Sequence, residues 1–457
     1  MSVAELDLDL ARKYSQPGPR YTSYPPATQF GQTLDLERLR GSLVENNRTD
    51  SDLSLYFHLP FCQSLCWFCG CTTVITREQS QSALYLKYLA KELELVAPLL
   101  NPRRQVAQLH FGGGTPTFLL PDEIRKLGDA IRHRFTLSEA VEAGVEIDPR
   151  DLTRDHVQAL RDIGFNRASI GVQDHNPAVQ EAVHRIQPLE MTKQAVDWIG
   201  ESGFRSLNID LIYGLPQQTV ASFAKTLDEA IALKPDRFAV FSYAHVPWLK
   251  PTQKGFKAES LPSPDLKLEL LKLTIGKLCG SGYAYIGMDH FARENDELAT
   301  AQKSRTLQRN FQGYSTHGDA DLYGFGVSSI SGAAGVYWQN LKDLNAYYAA
   351  LDEGRWPVAR TYFLSDDDKI RRRVIMQIMC GLELDFAALS KELGIGFKDY
   401  FAKELAGLAG LQEDGLIAET ANGLVVTARG RWVVRNIAMH FDAYLPAMKD
   451  RQFSKTI

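Results

Sequence analysis

From about residue 50 to 245, short apolar β-rich runs alternate with longer stretches whose apolar residues recur at helical spacing. This is the pattern of parallel strands joined by crossover helices. Six strands are predicted, at 53–58, 108–111, 144–148, 167–173, 206–214 and 237–244, with amphipathic helices such as 85–100 and 221–233 between them. Six β/α units are two fewer than a closed eight-stranded barrel needs. The expected fold is therefore α/β, a partial, open (β/α)6 TIM-like barrel.

The flanks read differently. Residues 1–50 contain Gly18-Pro19-Arg20-Tyr21-Thr22-Ser23-Tyr24-Pro25-Pro26, a stiff, turn-prone run expected to form an ordered N-terminal arm. The Gly-rich and aromatic segments of residues 246–360 are expected to add walls around the mouth of a barrel unit spanning 51–364. At Ser365-Asp366-Asp367-Asp368 a capping-box-like start opens a smaller unit, 365–457. Helical stretches at 387–393 and 397–408, then Asn422-Gly423 between two apolar runs, suggest a mostly helical, winged-helix-like domain ending in a tight hairpin.

Composition narrows the possibilities. With 457 residues and 44% hydrophobic content, the chain can bury a large core. Its net charge of −4 argues for neither nucleic acid nor membrane as a partner. Residues 365–457 hold equal numbers of basic and acidic residues, so the winged-helix-like unit is expected to pack on the barrel or its substrate. The start, Met1-Ser2-Val3-Ala4-Glu5-Leu6-Asp7, is acidic where a targeting peptide is basic, and no long uninterrupted apolar window follows. A cytoplasmic protein is expected.

Barrel enzymes assemble their sites at the carboxyl ends of the strands, and the unusual residues collect there. A cysteine loop follows the first strand, and Gly112-Gly113-Gly114-Thr115-Pro116 follows the second. Glu146 and Asp148 end the third, Gln173 closes the fourth, Asp210 and Tyr213 lie late in the fifth, and Tyr243-Ala244 end the sixth. Strand alternation puts Glu146 and Asp148 on one face. Either carboxylate suits the hydroxyls of a ribose, as acids do in dinucleotide sites; either also reads as a strand-end solubilising acid. Gln173, Arg185 and Asp210 read equally as ordinary polar residues, and Tyr56 as barrel filling.

The cysteine loop, Phe61-Cys62-Gln63-Ser64-Leu65-Cys66-Trp67-Phe68-Cys69, carries a C-x3-C-x2-C spacing. Iron-sulfur cubanes are held by four thiolates; three leave one iron free to bind something else. Structural zinc sites place two C-x2-C knuckles well apart, whereas four cysteines here fall between 62 and 71. Disulfides do not fit six cysteines without a signal peptide. Cys279 and Cys380 lie in apolar stretches and read as core. Cys71 reads as a non-ligand that either faces the reaction chamber or is a buried thiol.

The spacing resembles the radical S-adenosylmethionine (SAM) superfamily. There the open iron chelates SAM, and one electron passed into the sulfonium yields methionine and a 5'-deoxyadenosyl radical. The resemblance tightens to the oxygen-independent coproporphyrinogen III oxidases through several blocks. They include Arg20-Tyr21-Thr22-Ser23-Tyr24-Pro25, Phe68-Cys69-Gly70-Cys71, His110-Phe111-Gly112-Gly113-Gly114-Thr115-Pro116-Thr117, Glu146-Ile147-Asp148-Pro149-Arg150 and Gly171-Val172-Gln173-Asp174. Asn208-Ile209-Asp210, Gly287-Met288-Asp289-His290-Phe291, Asn310-Phe311-Gln312-Gly313-Tyr314 and Phe441-Asp442-Ala443-Tyr444-Leu445 extend the likeness over nearly the whole chain.

The resemblance implies oxidative decarboxylation of two propionates of coproporphyrinogen III to vinyl groups, giving protoporphyrinogen IX in haem biosynthesis. It implies a [4Fe-4S] cluster on Cys62, Cys66 and Cys69, and one SAM among Phe68, Gly113, Gly114, Thr115, Glu146 and Ala244. A second SAM is implied at Gln173, Arg185, Asp210 and Ile330. Tyr56 is expected near substrate or SAM, Cys71 at the reaction chamber, and Arg20 on a substrate carboxylate. A low-potential donor such as flavodoxin or ferredoxin is implied as electron source. The family pattern is Asn-Lys after the fourth cysteine, where this chain has Thr72-Thr73. The alternative is the sister group of haem-binding chaperones, which resembles C-x3-C-x2-C-x-Phe and usually lacks the arm; here Cys71 takes the last position.

Overall fold

Apolar runs buried on both faces form the centre of the molecule, as parallel strands covered by crossover helices require. The structure, a computed structural model, describes residues 6–318, 320–445, 453 and 455–456. The barrel strands are β1 (Leu53–Leu59), β2 (Gln105–Gly113), β3 (Thr136–Ile147), β4 (Arg167–Gln173), β5 (Ser206–Tyr213) and β6 (Arg237–Ser242). They pair in parallel in that order, joined by helices such as Ser80–Val96, Pro121–Arg132, Leu189–Glu201 and Val220–Ala232. In β4 and β5 a half-buried inner position alternates with a fully buried outer one. The half-buried residues, Ser169, Asn208 and Asp210 among them, line a cavity inside the curved sheet.

Two expectations need correction. The third strand begins at Thr136, well before 144, and Asp148 lies beyond its end as the cap of a short turn at Pro149–Asp151. Its early part is polar and exposed, and its pairing with β2 skips from Leu137 to Glu142, so no alternating signal marks it. The segment 246–360 is more than walls. It supplies β7 (Tyr283–Gly287), β8 (His290–Arg293), β9 (Asp321–Phe325), β10 (Ile330–Ala333), β11 (Val336–Asn340) and β12 (Val358–Phe363). All join one twelve-stranded sheet in the order β12-β11-β10-β9-β1-β2-β3-β4-β5-β6-β8-β7. Strand β9 pairs with β1 in parallel, extending the barrel on its open side.

Beyond the barrel, Ser365 caps the helix Asp366–Met376. Its hydroxyl accepts from Asp368 N at 3.1 Å, and the Asp368 carboxylate accepts from Ser365 N at 2.9 Å. The hairpin lies at β14 (Ile417–Thr420) and β15 (Gly423–Val426), after β13 (Glu383–Asp385). The three form a sheet in the order β13-β15-β14, with helices Phe386–Leu393 and Phe397–Tyr400 before the hairpin. Residues 421–422 make its two-residue loop, so Gly423 opens the second strand instead of turning the chain.

One hydrophobic core fills the barrel and its helices, and a second fills the C-terminal part. The N-terminal arm joins both: Leu6, Ala11, Leu39 and Leu43 lie in the first, Tyr21 and Tyr24 in the second. Tyr21 and Tyr24 are fully buried in it; the Tyr21 hydroxyl donates to Asp442 at 2.8 Å, and Ala443 N donates to the Tyr24 hydroxyl at 3.0 Å. Among the described residues no helix is long and apolar enough to cross a membrane.

Candidate active site

The cysteine loop is fixed by its backbone before any ligand is considered. Gly114 N donates to Leu59 O and Thr115 N to Phe61 O, each at 2.8 Å, which locks the glycine segment onto the start of the loop. Trp67 N donates to Val183 O at 3.1 Å, and its ring stacks on His184 with centroids 3.8 Å apart. Lys250 Nζ donates to Cys71 O at 2.9 Å, and Gln253 Nε2 to Phe68 O at 3.3 Å. Gly114 has no alternative: a Cβ there would lie 2.6 Å from the Pro60 carbonyl. Gly113, at φ 108°, would drive a Cβ to 2.5 Å from the His58 ring.

Donors surround the three sulfurs. Thr115 Oγ1 donates to Cys62 Sγ at 3.5 Å, Arg150 and Arg185 donate to Cys66 Sγ at 3.4 and 3.5 Å, and Cys71 N donates to Cys69 Sγ at 3.4 Å. Burial pushes the Cys62 thiol up to about 11. The Cys71 contact, helped by Lys250 and Arg185, pulls Cys69 down to about 6. Cationic and N–H donors around thiols are what anionic sulfur ligands need. Among the described residues no three His, Cys, Asp or Glu converge on a point that could hold a single metal ion. The donor set fits a cluster whose corners take separate thiolates. Cys71 is exposed as a residue while its contact with Cys69 and burial raise its thiol, and it interacts electrostatically with both Tyr56 and Glu146. Cys380 is buried and Cys279 half-buried, both against apolar neighbours.

Glu146 and Asp148, indistinguishable by alternation, have different partners. Asp148 is captured by Arg150, at 2.6 Å, and by Arg185, at 2.8 Å. Burial works against its charge, but the two guanidinium groups hold it below the ordinary carboxylate range. Glu146 lies open to the barrel cavity, with its carboxylate accepting from Gly113 N at 3.2 Å and 3.5 Å from His110 Nε2. Its depth in the barrel favours protonation, yet His110 and the Gly113 N–H outweigh that and keep it low. Asp210 behaves oppositely. Burial pushes it up to about 7, against hydrogen bonds from Ser169 at 2.9 Å and Asn208 at 2.7 Å.

Two cavities open from this rim. The barrel cavity, about 510 Å3, is lined by Tyr56, Glu146, Asp210 and Ile330 of the expected residues. Tyr56 lies 3.1 Å from His58 Nδ1 and stacks on His110. The outer cavity, about 580 Å3, lies between the arm, the ends of β5 and β6 and the C-terminal part, and takes Arg20 and Ala244. Arg20 is ion-paired with Asp289. Gln173 sits at φ 66° where β4 ends in a bulge, and Phe68 packs on the small cluster around Val183 and Tyr243. Arg185 is buried behind the loop, donating also to Gly171 O at 2.6 Å and Gln187 Oε1 at 3.1 Å. His58, His110 and Arg150 also reach the site, although spacing alone does not single them out. The two histidines flank Tyr56 from inward positions of β1 and β2, a placement visible only once the strands are paired.

The chain matches the family model of the radical SAM superfamily over residues 56–230 and that of the HemN C-terminal domain over 364–433. It is 47% identical to an oxygen-independent coproporphyrinogen III oxidase of Synechocystis sp. over 100% of this chain and 99% of that protein. It is 46% identical to the protein of the same name from Escherichia coli, over 100% of both. The solved structure of coproporphyrinogen III oxidase (HemN) from Escherichia coli, described as a radical SAM enzyme, is similar with a TM-score of 0.92. That likeness has 45% identity and covers 97% of this chain and 100% of that one.

Proposed function

The chain belongs to the oxygen-independent coproporphyrinogen III oxidases of the radical SAM superfamily, and from that premise we propose that it converts coproporphyrinogen III to protoporphyrinogen IX without dioxygen. Two propionate side chains become vinyl groups. Each loses a hydrogen atom from the β-carbon, CO2 from the carboxylate and one further electron. The observation that carries this reading is the C-x3-C-x2-C loop at the barrel mouth, its three sulfurs each facing a donor and its backbone pinned to the glycine segment.

Cys62, Cys66 and Cys69 hold the [4Fe-4S] cluster in this proposal. The cluster and SAM, when bound, supply a carbon-centred oxidant for an unactivated C–H bond, which no protein acid or base can break. The chain's own residues position and screen. Phe68, Gly113, Gly114, Thr115 and Ala244 shape the SAM site, and Glu146, kept ionised by His110 and Gly113 N, accepts from the ribose hydroxyls. Gln173, Arg185, Asp210 and Ile330 form the second SAM site. Tyr56 and Cys71 face the reacting side chain, and Arg20 meets a substrate carboxylate. A low-potential donor such as flavodoxin or ferredoxin provides the electron, in the reducing cytoplasm that such a donor and free cysteines require.

Substrate deuterated at the propionate β-carbons tests the reading. Deuterium is expected in the deoxyadenosine released by reconstituted protein. Deoxyadenosine free of deuterium while vinyl groups form would overturn the hydrogen-transfer step, and haem binding with no release would move the chain to the chaperone reading.

A further inference from the structure

Six cations line the outer cavity: Arg12, Arg20, Lys267, Arg431, Arg435 and Lys455. Among the described residues only two carboxylates do, and both are taken: Asp265 pairs with Arg12 at 2.8 Å, and Asp289 with Arg20. The barrel cavity differs, with Glu142, Glu146 and Asp210 set against Arg167 and Arg237. Arg435, only 8% exposed, is the one of the six with a buried nitrogen that lacks a hydrogen-bond partner. Its Nη2 donates to the carbonyls of Lys455 and Thr456, while its Nη1 is buried with no hydrogen-bond partner. Burial, with Arg20 nearby, pushes its guanidinium down to about 10. Lys267 spends one N–H on Tyr243 O at 3.0 Å, faces no carboxylate among the described residues, and is pushed down to about 8 by burial. An ammonium has three donors, so two are unspent among the described residues.

We propose that Arg435 and Lys267 form the carboxylate clamp that seats the tetrapyrrole in the outer cavity, with its ring against Tyr243, Trp248 and Trp432. The inference rests on the proposed reaction, whose substrate carries four propionates. Buried charges in proteins are paired; Asp289 acts on Arg435 from a distance but is ion-paired with Arg20, and an entering anion gives the unbonded Nη1 of Arg435 a partner. The cavity volume falls in the range of small-molecule sites, and its aromatic wall suits a planar apolar face. It opens at the ends of β5 and β6, beside the segment that contacts the cysteine loop through Lys250 and Gln253. A propionate held at Arg435 thus anchors one side of the ring while another side chain reaches the rim.

The test uses the full chain without its cluster, titrated with coproporphyrin III and with its tetramethyl ester, following tryptophan fluorescence. Trp248 and Trp432 line the cavity and report occupancy. The acid is expected to bind at least about tenfold tighter than the ester. Arg435→Gln and Lys267→Met are each expected to weaken the acid about tenfold or more and leave the ester unchanged. Lys267 is not fully buried, so its variant keeps the test decisive should Arg435→Gln fail to fold. Equal binding of acid and ester to the unaltered protein, or undiminished acid binding by the Lys267 variant, would overturn the clamp. Turnover of the unaltered protein is measured separately: an active enzyme with undiminished variants refutes the clamp alone, and an inactive one that still discriminates acid from ester refutes the reaction alone.

Discussion

Arg185 Nη1 lies 3.5 Å from the sulfur of Cys66, and the same nitrogen lies 2.8 Å from the Asp148 carboxylate. With Cys66 holding the cluster as proposed, a buried cation against it stabilises the more negative, reduced form, because hydrogen bonds and net charge set cluster potentials. Arg185→Gln is therefore expected to make the cluster potential more negative in a redox titration followed by electron paramagnetic resonance. An unchanged potential would contradict this role.

Cys71 stands two residues from Cys69, a proposed cluster ligand, and its own N–H donates to Cys69 Sγ. Iron and sulfide content is expected to survive Cys71→Ser and to be lost in Cys62→Ser, Cys66→Ser or Cys69→Ser. Cluster loss in the Cys71 variant equal to that of the other three would make it a ligand and sink the three-thiolate reading.

The glycine segment and the cysteine loop meet at Gly114, where a Cβ would sit 2.6 Å from backbone atoms of Pro60. Backbone cannot swing away as a side chain end can, so Gly114→Ala is expected to cost about 1–3 kcal/mol and to lower iron retention. Gly41, inside the helix Leu36–Asn46, has nothing within 4 Å of its would-be Cβ. There Gly41→Ala is expected to stabilise by roughly 0.5–1 kcal/mol. Thermal unfolding of the two variants should show shifts of opposite sign.

Glu92 is buried beneath the open side of the barrel, accepting from Gly326 N and Tyr347 OH at 2.7 Å and Asn340 Nδ2 at 2.6 Å. Burial outweighs these bonds and pushes its carboxyl from 4.5 up to about 7. The folded state then holds a proton that the unfolded chain has released. Its contribution is complete below about pH 4.5, declines as pH rises, and is gone above about 7. The slope is about 1.4 kcal/mol per pH unit. Glu92→Gln is expected to remove that decline from denaturant unfolding measured across the window; an identical slope in the variant would contradict it.

Strands with continuous or alternating apolar positions, such as 53–59 and 167–173, were legible within a residue or two, as was the Ser365 cap. The early part of β3 was not, because it is polar, exposed and paired through a bulge. The strands of 283–363 were not assigned to the barrel sheet, since short runs carry no record of which edge they join. Within the site, spacing revealed the cysteines and the glycines. It could not separate Glu146 from Asp148, which differ in that Asp148 lies past the strand end and is captured by Arg150, two residues on, and Arg185, brought in from another loop. Nor could it place Arg435 and Lys267 on one cavity, because they lie 168 positions apart and meet only through packing of the C-terminal part on the barrel.

The central claim is the conversion itself. Reconstituted protein would be incubated anaerobically with SAM, a one-electron reductant and coproporphyrinogen III, and the tetrapyrroles followed by mass. The account predicts a monovinyl intermediate and then a divinyl product, each step losing one CO2 and two hydrogens' worth of reducing equivalents, with deoxyadenosine released. Unchanged coproporphyrinogen in the presence of an intact, reduced cluster and bound SAM would contradict it.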